Sequence, residues 1–306
     1  MLAIEIESLS KRFGDHGYSL ENVEFSVPGG EIFGFLGPNG SGKTTTVRIL
    51  NGILKPTSGE VRIFGQAVAG NENAIHRMSG VVTELAGLYE SLTATENLRI
   101  FGGLFGMRDP ELGKRIAKLL SLFELSGVNA TGKKVGAFST GMKKSLSIAR
   151  ALLHKPRLLF LDEPTNGLDP EAADNVIRLI RALVAEESIT VFLCTHQLKY
   201  AEEICTRYGF ISKGRMLGHG TFAELASRKG AESRLLVRGR NLPRESGAEW
   251  EDGNCVLTVA DDAAAAGRIR KMIEAGADIY DARQSNWTLE RLYFEYRKEA
   301  KNAAGL

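Results

Sequence analysis

Apolar and polar residues alternate at the start of this chain: Ile4, Ile6 and Leu9, then Leu20, Val23, Phe25 and Val27. A period of two places alternate side chains on opposite faces, so this stretch predicts short antiparallel strands covered on one side. Glu31-Ile-Phe-Gly-Phe-Leu36 breaks the alternation. It is a compact apolar strand that runs into a glycine-rich turn, and Thr44–Leu50 follows with helical character. From about Leu85 to Leu153 the period lengthens to that of helices. Thr93-Ala-Thr-Glu96 has the form of a capping box, after which Leu98, Phe101 and Phe105 line one face. Asp109-Pro110 reads as a cap with proline at the first helical position, opening a helix with Ile116, Leu119, Leu120 and Phe123 on one side.

Two further buried strands are predicted at Leu158–Leu161 and Ile189–Cys194, with a helix from about Pro170 between them. Buried strands alternating with helices imply a largely parallel sheet that carries its ligands at the strands' C-terminal ends. The texture shifts again near Ala231. The remainder reads as strand (Arg234–Val237), strand (Asn254–Val259), helix (Ala263–Glu274), strand (Asp278–Arg283) and helix (Thr288–Arg297), enough for a small α/β accessory domain. The last helix sets Leu289, Leu292, Tyr293 and Tyr296 on one face, a stripe suited to core packing.

Composition narrows the picture. At 306 residues the chain exceeds the size of one comfortable core, so a large domain plus a small one is expected. A formal net charge of +2 with scattered basic residues argues against a nucleic-acid partner. No apolar run reaches the roughly 18–20 residues needed to span a bilayer. Met1–Glu5 lacks the basic start and apolar stretch of a signal peptide, so the chain is expected in the cytosol unless a partner holds it at a membrane. The three cysteines, Cys194, Cys205 and Cys255, are odd in number and form no CxxC pair, as expected of small buried side chains rather than a disulfide or zinc framework.

Gly37-Pro38-Asn39-Gly40-Ser41-Gly42-Lys43-Thr44 matches GxxxxGK[ST], with a strand before it and a helix after it. Glycines let the backbone curl around a polyphosphate and turn successive N–H groups inward, and the helix start adds partial positive charge. Lys43 is placed to reach β- and γ-phosphates, the Thr44 hydroxyl to hold Mg²⁺, and Thr45 extends the helix start. Leu158–Leu161 then delivers Asp162 to the metal and Glu163 to the attacking water. These residues point to ATP and Mg²⁺ as the bound species.

Between the two halves stands Phe138-Ser139-Thr140-Gly141-Met142-Lys143, which resembles the LSGGQ signature of ABC-transporter ATPases. Pro164–Asp169 is similar to their D-loop, and Cys194-Thr195-His196 to their switch histidine. The resemblance covers residues 3–225 and implies a P-loop NTPase fold of the ABC-ATPase type. That fold has a mixed sheet core, added antiparallel strands and a helical signature subdomain near 85–155, within a domain at 1–230. A small accessory α/β domain would occupy 231–306.

The same resemblance implies a head-to-tail pair, of two identical or two related subunits. Ser139 and Gly141 of one copy, with Asp169 nearby, would complete the ATP site of the other. It further implies that His196 contacts the γ-phosphate and that Phe13 stacks on adenine. Glu84 stands at the position where the family commonly has a metal-binding glutamine, and a carboxylate still offers oxygen to Mg²⁺. Thr140 and Met142 depart from the usual signature, whereas Ser139 and Gly141, the phosphate-facing positions, remain. The pattern from Ser139 to Arg150, Asn166–Asp169 and Leu289–Glu295 is most similar to subunits that energise exporters through a separate membrane permease. That implies a place at the cytoplasmic face of the membrane, with a coupling surface near Glu84–Phe105; drugs, peptides, polysaccharides and ions are cargoes of that branch.

Two other readings are weighed. A soluble ABC ATPase of translation usually carries two cassettes, and DNA-directed relatives insert long heptad helices between phosphate loop and signature; neither pattern is present. A regulatory subunit that binds ATP without turnover is disfavoured by Glu163 and His196 and weakly favoured by Glu84.

Overall fold

The computed structural model describes the chain except residues 15–16, 85–86, 131, 231–232, 244–247, 252–253, 260–261, 286 and 304–306. Strands β1 (Leu2–Arg12) and β2 (Tyr18–Pro28) pair antiparallel, as their alternation predicts. The apolar run forms β3 (Ile32–Leu36), and the glycine loop leads from it into α1 (Lys43–Leu50). β4 (Ser58–Ile63) and β5 (Gln66–Ala67) complete a four-stranded antiparallel sheet in the order β2-β1-β4-β5. α2 (Glu72–Met78) and β6 (Ser79–Val82) follow.

A helical insertion comes next: α3 (Ala94–Leu104), α4 (Glu111–Leu122), α5 (Ser126–Ala130), a 3₁₀ turn at Val135–Ala137, and α6 (Thr140–Ala151). β7 (Leu158–Asp162), α7 (Pro170–Glu187), β8 (Thr190–Thr195), α8 (Leu198–Ile204), β9 (Arg207–Ser212) and β10 (Arg215–Gly220) return to the core. The second sheet is six-stranded, ordered β10-β9-β3-β8-β7-β6, and parallel except where β10 meets β9.

Both sheets close on one hydrophobic core. Phe25 from the antiparallel sheet lies 5.2 Å from Phe33, and Phe33 lies 5.5 Å from Phe192, in stacked pairs. Phe35 and Phe160 complete the aromatic layer, and Phe33, Phe35, Phe160 and Phe192 are fully buried. The insertion is anchored by its own apolar faces. Thr93 and Glu96 make the reciprocal capping box, the Thr93 N–H donating to Glu96 Oε2 at 2.7 Å and the Glu96 N–H to Thr93 Oγ1 at 3.2 Å. Leu98 is buried as expected, but Phe105 is 42% exposed and stacks on His154 at 3.9 Å instead of joining the core. Ile116, Leu119, Leu120 and Phe123 are all buried.

The start of α4 differs from expectation. Pro110, not Asp109, occupies the N-cap, and no side chain caps it. Asp109 has a competing partner: its carboxylate pairs with Arg99 on α3.

Two compact units emerge from the chain, Met1–Thr221 with Ala300–Leu306, and Phe222–Glu299. The second unit contains α9 (Phe222–Ser227), β11 (Ser233–Arg240), β12 (Glu249–Glu251), β13 (Asn254–Val259), α10 (Asp262–Glu274), β14 (Asp278–Ser285) and most of α11 (Leu289–Ala303). Its strands form an antiparallel sheet ordered β12-β13-β11-β14 over a small core that includes Leu235, Val237, Leu257 and Met272. Leu289, Leu292, Tyr293 and Tyr296 are buried, so the stripe on the last helix serves packing. All three cysteines are buried.

The aromatic layer sets a stability test. Phe192→Ala is expected to destabilise the first unit by about 3–5 kcal/mol, whereas Leu104→Ala, 76% exposed, stays within about 0.5 kcal/mol. Urea unfolding followed by far-ultraviolet circular dichroism reads both, and an unshifted midpoint for Phe192→Ala contradicts the packing argument.

Candidate active site

The loop after β3 curls because side chains cannot fit along it. A Cβ at Gly37 would stand 2.3 Å from the Ile211 carbonyl oxygen. Gly42 adopts φ +109°, a left-handed conformation suited to glycine, and a Cβ there would meet Leu20 at 2.6 Å and the Ser19 carbonyl at 2.9 Å. The loop is tied to the β9–β10 turn by the Gly214 N–H, which donates to the Ser41 carbonyl at 3.0 Å. At the start of α1 the first amides have no carbonyl one turn back, so they are available to an anion. Lys43 is 6% exposed, and its ammonium donates to the carbonyls of Gly37 at 2.7 Å and Pro38 at 3.3 Å.

Opposite the loop, β7 ends on Asp162 and β8 on Thr195. Parallel pairing sets Leu36 beside Thr195 and Asp162 beside Cys194, so the loop, the carboxylates and His196 meet at one edge. The Thr44 hydroxyl donates to Asp162 Oδ2 at 3.2 Å. Burial pushes the Asp162 carboxyl above its usual range, with the Thr44 bond pulling the other way and Glu163, followed by Glu84, adding to the rise.

Glu163 is held from several sides. Its Oε2 accepts from the Thr195 hydroxyl at 2.8 Å, while Oε1 accepts from the His196 N–H at 3.1 Å and faces His196 Nδ1 at 2.7 Å. Lys43 Nζ stands 3.8 Å from the same Oε1. The backbone of Glu163 has φ +47°, a left-handed conformation that costs a non-glycine residue about 1–3 kcal/mol. That strain is sustained because the Glu163 N–H donates to the Cys194 carbonyl at 2.9 Å and the side chain is buried and clasped.

These groups enclose a cleft of about 310 Å³ that also takes in Ser19, Asn39, Gly40, Thr45, Glu84 and Asn166. Ser19 and Thr45 share a hydroxyl hydrogen bond of 3.0 Å. Glu84 is oriented by Asn166, whose amide donates to its Oε1 at 2.8 Å. The following segment is pinned by buried Asn97, which accepts from the Tyr89 N–H at 2.8 Å and donates to the Tyr89 carbonyl at 3.0 Å.

The remaining sequence-derived candidates lie elsewhere in the chain. Ser139 is the N-cap of α6, its hydroxyl accepting from the Met142 N–H at 3.2 Å. Ser139 and Gly141 border a different cavity, of about 500 Å³, between the start of α6 and α7. Asp169 caps α7, its Oδ1 accepting from the Ala172 N–H at 2.8 Å. Phe13 is 45% exposed with the Lys11 ammonium 5.1 Å above its ring, and does not line the 310 Å³ cleft. A single chain therefore brings together the loop, Glu84, Asp162, Glu163 and His196, and leaves Ser139, Gly141, Asp169 and Phe13 apart from them.

Ser19, Asn166, Thr195 and Lys144 were not singled out from sequence. Asn166 and Thr195 sit inside the recognised segments Pro164–Asp169 and Cys194–His196, which is the signal that could have found them. Lys144 sits inside the pattern Ser139–Arg150, whereas Ser19 carries no such mark.

The cleft suits a magnesium nucleotide. Its polar donors are hydroxyl and carboxylate oxygens, the chemistry Mg²⁺ prefers, and among the described residues no cluster of three or more His, Cys, Asp or Glu forms a self-sufficient cage. Magnesium bound by one or two carboxylates and phosphate oxygens needs no such cage.

Known proteins agree with this geometry. Residues 20–166 match the family described as ABC transporter. The chain is 42% identical over 225 residues to the bacitracin transport ATP-binding protein BcrA of Bacillus licheniformis, covering 74% of this chain and 72% of that one. It is 37% identical over 249 residues to the daunorubicin/doxorubicin resistance ATP-binding protein DrrA of Streptomyces peucetius, covering 81% and 73%. Among solved structures, an ATP-binding subunit of an ABC transporter superposes with a TM-score of 0.67 at 31% identity, covering 75% of this chain and 94% of the other. A dimeric ATP-binding cassette bound to ADP and Pi superposes at 0.63 with 28% identity, covering 71% and 98%. The curled phosphate loop, the paired carboxylates beyond it and these likenesses together establish that the chain belongs to the ABC transporter family, as an ATP-binding and ATP-hydrolysing subunit of an export-type transporter.

Proposed function

We propose that the chain works as one of two ATPase subunits beneath a membrane-embedded permease, closing head to tail around MgATP to drive export of a compound of the drug or peptide class. The arrangement of Glu163 carries this reading: its carboxylate is fixed by Thr195 and His196 and opens beside Lys43 into the cleft of the phosphate loop.

In this reading the amides of Gly40–Thr45 wrap the β- and γ-phosphates, and Lys43 turns its ammonium from the Gly37 carbonyl to the phosphate oxygens. Thr44 and Asp162 hold Mg²⁺, with Glu84 as a further oxygen donor; when bound, the ion neutralises phosphate charge. Glu163 orients the attacking water and draws its proton, and His196 sits between that carboxylate and the γ-phosphate. Phe13, exposed rather than packed in the core, is free to stack on adenine.

The separation of Ser139 and Gly141 from the phosphate loop supports donation in trans. A serine hydroxyl and free amides at a helix start suit an anion that arrives on a second subunit. A dimeric structural relative bound to ADP and Pi fits the same idea. No helix among the described residues is long and apolar enough to cross a membrane, so attachment to the cytoplasmic face would come through the permease.

Its docking surface would be the groove beside α3, where Ile53, Leu104 and Phe105 are exposed next to His154. Glu84 at the cleft and Tyr89 near the groove belong to one short segment, so closure around ATP would move both. The relatives named for bacitracin transport and for daunorubicin and doxorubicin resistance support a cargo of this class.

Three outcomes are expected. Glu163→Gln abolishes steady-state turnover while ATP binding persists, and leaves a dimer on size exclusion with ATP; unchanged phosphate release removes Glu163 from the chemistry. Lys43→Ala weakens ATP binding by about tenfold or more, equivalent to about 1.4 kcal/mol, and equal affinity by calorimetric titration contradicts the phosphate assignment. A cysteine engineered at Leu88 or Tyr89 cross-links to a cytoplasmic loop of the co-expressed permease, and failure in every nucleotide state counts against the docking surface.

A further inference from the structure

Lys144 is a charged residue in the interior, 4% exposed on the inner face of α6. Its neighbour Lys143 points outward to Glu90, Nζ to Oε1 at 2.6 Å, as the turn of a helix requires of consecutive residues. The ammonium of Lys144 donates to the Glu84 carbonyl at 3.2 Å and the Glu163 carbonyl at 3.3 Å. These two residues lie 79 positions apart in sequence (163 minus 84), on segments that leave the ends of β6 and β7. One side chain therefore joins three pieces: the helix that begins at Ser139, the segment that carries Glu84, and the turn that carries Glu163.

The charge also has a reason to be there. Taking an ammonium out of water costs several kcal/mol unless opposite charge and hydrogen bonds offset it. The carbonyls of Glu84 and Glu163 supply those hydrogen bonds, and three carboxylates, Glu84, Asp162 and Glu163, line the neighbouring cleft.

We infer that Lys144 is a positioning residue for ATP hydrolysis, which fixes the main chain of Glu84 and Glu163 to the signature helix. It rests on the reading of Glu163 as the water-orienting group. Lys144 does not line the cleft; it acts through the two carbonyls.

Steady-state ATPase kinetics of the full chain test this, with calorimetric nucleotide binding and thermal unfolding as controls. Lys144→Met keeps the packing and removes charge and donors. It is expected to lower kcat by about ten- to a hundredfold while KM stays within about threefold, the sign of a defect in the reacting arrangement rather than in binding. Lys144→Arg restores most of kcat.

A wild-type kcat in Lys144→Met, or a loss confined to KM, overturns the inference, and so does a Lys144→Arg variant no better than Lys144→Met. Should Lys144→Met not fold, Lys144→Gln carries the same comparisons. Glu163→Gln is assayed alongside: turnover there removes the underlying reading, whereas a dead Glu163→Gln with a fully active Lys144→Met removes this inference alone.

Discussion

Parallel pairing of β3, β8 and β7 places Leu36 beside Thr195 and Asp162 beside Cys194, and the chemistry of the protein depends on that alignment. Three segments far apart in sequence end at one level, so the phosphate loop, the carboxylate pair and His196 emerge together. A slip of one residue would turn each side chain to the opposite face. The stacked phenylalanines beneath the sheet oppose such a slip, because Phe33, Phe160 and Phe192 fit against Phe25 and Phe35 in one alignment.

From that edge the site is built by local strain and by long-range hydrogen bonds. The left-handed turn at Glu163 would be unfavourable alone, and Thr195 and His196 make it the stable arrangement. Glu84 is steered by Asn166 in front and by Lys144 behind its carbonyl. Glu84 and Glu163 are thus tied to the same two segments, to Pro164–Asp169 through Asn166 and to the signature helix through Lys144. A displacement of either segment is felt at both.

Much of this was legible from sequence because it rests on local pattern. Apolar runs at Ile32–Leu36, Leu158–Leu161 and Ile189–Cys194 mark strands, glycines at 37, 40 and 42 mark the loop, and Thr93 with Glu96 marks a helix start. What escaped is long-range or too short. β12 has three residues and carries no usable period. Lys144 lies within the pattern Ser139–Arg150, and only its carbonyl partners, 60 and 19 residues away, reveal it as interior. Asp109 looks like a helix cap until Arg99, ten positions earlier, claims its carboxylate.

The three cysteines have a practical side. Cys194, Cys205 and Cys255 are buried, and burial drives the thiols of Cys194 and Cys205 well above their ordinary range, away from the thiolate that alkylating reagents need. Maleimide dyes added to the folded protein should pass over the native sulfurs and modify a thiol introduced at the surface. Distances between paired fluorophores or spin labels are then accessible in an otherwise unaltered background.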